Sequence, residues 1–167
     1  MSLDHESYYD VIQKTQLVSA DIYFVLHNRL LVGKRNNSPA KNWLFTPGCR
    51  AFKNETLKST CIRVALEELG IQIDFSKCSQ IGVFDHIYPD NFRDSKFGTH
   101  YVNIAYAYPM SSIEKTNIRF DAQHSLLSWI PCDKVLGHKS IHPYVKKSFK
   151  TAIDKGIIKI NSGTRST

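Results

Sequence analysis

The chain has 167 residues, 42% of them hydrophobic and 22% charged, which suits one domain with a sizeable core and gives no sign of a disordered polymer. A net charge of +7 and a pI near 9.2 point to an anionic partner, either a phosphorylated small molecule or nucleic acid. No apolar run approaches the roughly 18 residues of a membrane span. The N-terminus carries Asp4 and Glu6 in place of a basic region and apolar core, so the expectation is a cytoplasmic protein without membrane partners.

In chain order, "LVSADIYFVLHNRLLVGKR" predicts two β-strands around His27-Asn28-Arg29, and "NWLFTPG" a short strand stopped by Pro47-Gly48. From Glu55 to Leu69 the pattern turns helical. Ile62, Ala65, Leu66 and Leu69 form an apolar stripe, and Gly70 is the expected C-cap. Residues 64, 67 and 68 share a second face, which predicts that Glu67 and Glu68 point together away from the stripe. "QIGVFDHIY", "HYVNIAYAYPM" and "LLSWIP" read as further strands. "HPYVKKSFKTAIDKG" reads as a closing helix with Pro143 in its first turn and Gly156 beyond its end. The prediction is a single α+β domain over residues 1–167, a mixed sheet between helices, with residues 161–167 as a small, polar tail outside the fold.

The four cysteines, Cys49, Cys61, Cys78 and Cys132, include no Cys-x-x-Cys pair, so neither a zinc site nor a disulfide framework is expected. Lys146, Lys147, Lys150, Lys155 and Lys159 read as a solvated helix face and tail. With no aromatic RNP pattern present, nucleic acid is not the expected partner. Tyr8 and Tyr9 are open between stacking on a purine and core packing.

The spacing of Glu55, seven residues, Arg63, three residues, Glu67-Glu68, one residue, Gly70-Ile71 resembles the Nudix box. Two positions depart from it. Cys49 stands at the opening glycine, which requires that Gly48 take over the positive-φ role, and Val64 stands at the first carboxylate of the metal-binding trio. The GDP-mannose mannosyl hydrolases are a Nudix branch that lacks this same Glu and cleaves at the sugar carbon. The chain is similar to that branch from about Tyr8 to the closing helix, through "LVSADI", "GKRNNSPAKNWLFTPGCR", "HIYPDNF", "THYV" and "DAQH".

That resemblance implies the Nudix fold, a homodimer, and Mg2+ held by the Gly48 carbonyl, Glu68 and Gln123. It implies substrate contacts from Asp21, Arg35, Arg50, Arg63, His86, Tyr88 and Tyr101, with Arg35 and Arg50 assisting catalysis at the diphosphate. It makes His124, in a polar loop, the general base. The expected reaction is hydrolysis of GDP-mannose or a related GDP-hexose to GDP and free hexose, by water attack at C1 with inversion. The alternatives are a conventional Nudix pyrophosphohydrolase, or a domain that binds a nucleotide sugar without cleaving it.

Overall fold

The computed structural model describes residues 3–118 and 124–160; the side chains at 124 and 125 lie outside the described part. Helix α1 (His5–Lys14) leads into β1 (Leu17–Leu26), β2 (Arg29–Arg35), β3 (Leu44–Phe45) and β4 (Gly48–Arg50). Helix α2 (Leu57–Leu69) follows, then β5 (Ser79–Tyr88), β6 (Thr99–Pro109), α3 (Ser112–Thr116), β7 (His124–Pro131), α4 (Cys132–Val135) and α5 (Pro143–Asp154). The predicted strands and both predicted helices are present, joined into an α+β fold with a mixed sheet. The β1–β2 turn carries His27 at φ 46° and Asn28 at φ 58°, the paired positive values of a tight hairpin whose twist matches the flanking strands.

Among the described residues, seven strands form one sheet in the order β3-β2-β1-β6-β5, with β4 paired to β1 and β7 to β2. Strands β1 and β6 run parallel, and the other pairs are antiparallel. Alternation along β1 sends Ala20, Ile22 and Phe24 to one face and Tyr23 to the other. The first face packs against Cys61, Val64, Ala65 and Leu69 of α2. The second packs against Val145, Phe149 and Ala152 of α5 and Cys132 and Val135 of α4. All four cysteines are free thiols, and no helix among the described residues is long and apolar enough to cross a membrane.

Helix α2 is rotated by one residue from the predicted stripe. Its buried face is Cys61, Val64, Ala65, Glu68 and Leu69, whereas Leu66 is 50% exposed and Ile62 only partly covered. Counting Cys61 as apolar gives the observed i, i+3, i+4, i+8 pattern. Val64 therefore belongs to the core, at 0% exposure, and not to an acidic outer face. The helix starts at the Thr56 N-cap, whose side chain accepts from Ser59 N at 3.1 Å, and ends at Gly70 with φ 68°.

Helix α1 has no strong sequence signal, because only Ile12 in it is buried. Its attachment is aromatic and polar: Tyr8 stacks on Phe92 at 5.2 Å, the Tyr9 hydroxyl donates to Asp94 at 2.7 Å, and Glu6 pairs with Arg93 at 2.7 Å. Edge strand β5 is closed off by side chains. The Tyr144 hydroxyl accepts from Ile87 N and donates to Ile87 O, and Lys155 Nζ donates to Ile81 O at 2.7 Å.

The core placement of Val64 is testable. A Val64→Glu chain buries a carboxylate among apolar side chains and is expected to lose roughly 3 kcal/mol or more of unfolding free energy in a metal-free urea titration at neutral pH. Unchanged stability would place position 64 at the surface.

Candidate functional site

On the α5 side of the sheet, the ends of β1, β4, β5 and β6 border a cleft of about 170 Å³. Its walls include Asp21, Arg35, Gly48, Arg50, His86, Tyr88 and Tyr101, seven residues expected from the sequence, together with Tyr8, Ser19, Pro39, Phe45 and Cys49. Strand register explains the convergence. Asp21 faces Gly48 and Ser19 faces Arg50 across the β1–β4 pair, while His86 faces Tyr101 across β5–β6. Period two then adds Tyr88 beside His86.

Gly48 is required by close approach. A Cβ there would overlap Asp21 Oδ1 and lie 3.0 Å from the Ala20 carbonyl oxygen. Its φ is not positive, which corrects the expectation of a left-handed turn at this position: Gly48 begins a strand, and Cys49 needs no compensation for its side chain. Asp21 is 6% exposed, and its Oδ2 has no hydrogen-bond partner among the described residues. Burial pushes its carboxyl up to about 7, against the opposing hydrogen bond from Asn103 and the charge of Arg35. Near neutral pH this group can therefore donate as well as accept.

His86 is 3% exposed, with a buried Nε2 that has no partner among the described residues. Its ring lies parallel to that of Tyr144, 4.4 Å between centroids and 2° between planes. Burial, then the nearby His142 and Lys147, push its pKa down to about 4, so the imidazole is neutral at physiological pH. Asp21 and His86 thus offer polar atoms suited to an uncharged, hydroxyl-bearing ligand group.

The three candidate arginines have different surroundings. Arg35 donates Nε to the Pro39 carbonyl at 2.9 Å and lies over the Phe45 ring at 5.6 Å. Arg50 lies 4.0 Å from the Tyr8 ring centroid and 5.2 Å from that of Phe52. Both line the cleft, with planar guanidinium groups matched to phosphate oxygens. Arg63 is instead a brace outside the cleft lining. It donates to Glu55 at 2.8 and 3.0 Å, to Glu67 at 2.9 Å and to the Arg50 carbonyl at 2.9 Å. These bonds raise the pKa of Arg63 further and hold Glu55 down to about 2.

The two helix carboxylates diverge, correcting the prediction that they point together. Glu67 is exposed and joined to Arg63, whereas Glu68 is 5% exposed, with both oxygens 3.3 Å from Gly48 N. The physical reason is the rotation of α2, which turns position 68 inward and position 67 out. A buried carboxylate beside the main chain of Gly48 is a hard-oxygen setting that fits Mg2+. Among the described residues, no group of three His, Cys, Asp or Glu side chains could hold a metal by itself. Gln123 lies outside the described residues. His124 begins β7, where its backbone pairs with Arg35, and its side chain lies outside the description.

Of the cleft residues absent from the candidate site set, Ser19 was accessible by stepping two residues back from Asp21. Tyr8, open in the sequence between purine stacking and core packing, reaches the cleft wall because α1 is held by aromatic contact with distant Phe92.

The NUDIX domain family matches residues 15–151. The low-salt glycan biosynthesis protein Agl8 of Haloferax volcanii is 32% identical over 137 residues, 82% of each chain. The crystal structure of the MutT NUDIX hydrolase from Burkholderia pseudomallei superposes with a TM-score of 0.68 at 22% identity, covering 83% of this chain and 98% of that one. The NUDIX domain of Shewanella oneidensis NrtR, solved with ADP ribose, gives 0.64 at 19% identity, covering 92% and 99%. These two likenesses establish the fold alone. The domain match over most of the chain, and a relative nearly a third identical along the same length, make this protein a member of the NUDIX family of hydrolases.

Proposed function

We propose that the protein hydrolyses GDP-mannose or a related GDP-hexose to GDP and free hexose, with water attacking C1 and inverting it. The observation that carries this reading is the single buried carboxylate that α2 sets against Gly48, a residue of the cleft wall. Val64 is core, Glu67 is engaged by Arg63, and only Glu68 reaches Gly48. Attack at phosphorus gains from several carboxylates gathering metal charge, whereas departure of a diphosphate from carbon needs its own negative charge stabilised. The glycan-related name of the Haloferax relative supports a sugar-bearing substrate.

In this reading Arg35 and Arg50 bind the diphosphate, while Asp21 and His86 exchange hydrogen bonds with hexose hydroxyls. Tyr88 and Tyr101 wall the sugar and phosphate region. Glu68, the Gly48 carbonyl and Gln123 would hold Mg2+, which when bound supplies positive charge to the leaving group. As the C1–O bond breaks, its electron pair departs with the diphosphate; water oxygen bonds to C1 and His124 takes the water's proton. A cleft of about 170 Å³ is smaller than the roughly 300 Å³ at which ligand pockets begin. The base therefore lies beyond it, where the homodimer implied by family resemblance would supply further wall.

The direct test is incubation with a panel of nucleotide sugars and Mg2+, followed by chromatographic separation of the products. Free hexose and GDP are expected, and a sugar phosphate with GMP would overturn the reading. The carboxylates separate in the same assay. Glu68→Gln should lower kcat by roughly 10²-fold and raise the Mg2+ concentration needed for half-maximal rate, with Glu67→Gln within about threefold of the parent. Equal, severe losses would mean a site of several carboxylates.

A further inference from the structure

We propose that Tyr8 of α1 is a positioning residue that holds Arg50 and Tyr101 for a diphosphate, an inference that rests on the anion-binding reading of the cleft. The Arg50 guanidinium lies 4.0 Å from the Tyr8 ring centroid and 5.2 Å from that of Phe52, so aromatic faces fix its plane. Among the described residues no carboxylate pairs with Arg50, because Arg63 engages the nearby acidic groups at 2.8 and 2.9 Å. A guanidinium held by rings keeps its in-plane N–H groups for an oxyanion, and an ion pair would have consumed them.

The second half of the device is the hydroxyl. Tyr8 and Tyr101 place their hydroxyl oxygens 3.0 Å apart. Whichever donates, one of the two hydroxyl protons occupies the shared bond, leaving the other O–H to offer an anion. The Tyr8 ring is itself stacked on Phe92 at 5.2 Å and 25°, so it is set in place before ligand arrives. One side chain thus orients a cation and a hydroxyl toward the same cleft.

The test is calorimetric titration of inorganic pyrophosphate, with Mg2+ in excess, onto the full chain and its variants. Tyr8→Leu should weaken binding about tenfold, and Tyr8→Phe, which keeps the ring, about two- to threefold. In an Arg50→Ala background the Tyr8→Leu effect should fall to the roughly two- to threefold of the hydroxyl alone, since the ring acts through Arg50. Full additivity, or equal losses from Tyr8→Phe and Tyr8→Leu, would overturn the proposal. Where Tyr8→Leu does not fold, the Tyr8→Phe loss must vanish in a Tyr101→Phe background, and its persistence there overturns the hydroxyl assignment. Pyrophosphate carries neither base nor sugar. A protein that binds it with this coupling but cleaves no nucleotide sugar would refute the proposed reaction and keep the inference, and a parent chain that does not bind it refutes both.

Discussion

The approach of Asp21 to Gly48 is the contact on which the cleft depends. Antiparallel pairing of β1 with β4 brings the two backbones together, and only a residue without a Cβ leaves room for the carboxyl. The same strand turns its other face to α2, and Glu68 reaches through to Gly48 N. One glycine therefore separates two buried carboxyl groups, of which Asp21 faces the cleft with an unpartnered oxygen. Burial pushes the Asp21 carboxyl up to about 7, so at neutral pH this group does not set a full negative charge against an incoming diphosphate.

Positive charge is divided with similar economy. Arg63 is committed to Glu55, Glu67 and the Arg50 carbonyl, fixing the segment between β4 and α2 against the helix. Arg50, whose main chain is thereby fixed, projects its own guanidinium onto Tyr8 and lines the cleft. An arginine that binds protein and one that faces the cleft lie side by side, and the carboxylates around them decide which is which.

Much of this was legible in the sequence, for identifiable reasons. Period two placed His86 and Tyr88 together, and the Gly70 cap ended α2 where the helical pattern stopped. The rotation of α2 is hidden in the sequence because Cys61, the first apolar residue of the buried face, is a thiol; a stripe begun at Ile62 instead places Val64 outside the core and Glu67 with Glu68. Pro47-Gly48 has the composition of a tight turn, although Gly48 begins a strand. Its need for a bare Cα arises from a strand 27 positions earlier, which no local pattern reports. Helix α1 was invisible for the same reason, its partners Phe92, Arg93 and Asp94 being some 85 residues away.

The central claim is that a helix setting one buried carboxylate against the cleft-wall glycine Gly48 belongs to a site that breaks carbon–oxygen bonds. Isotope placement tests it most directly. Hydrolysis of GDP-mannose in water enriched in heavy oxygen should place the label on the C1 hydroxyl of the free hexose and leave GDP unlabelled, as mass spectrometry of both products would register. Label in a phosphate product would mean attack at phosphorus, and Val64 would then be a core substitution without consequence for the reaction.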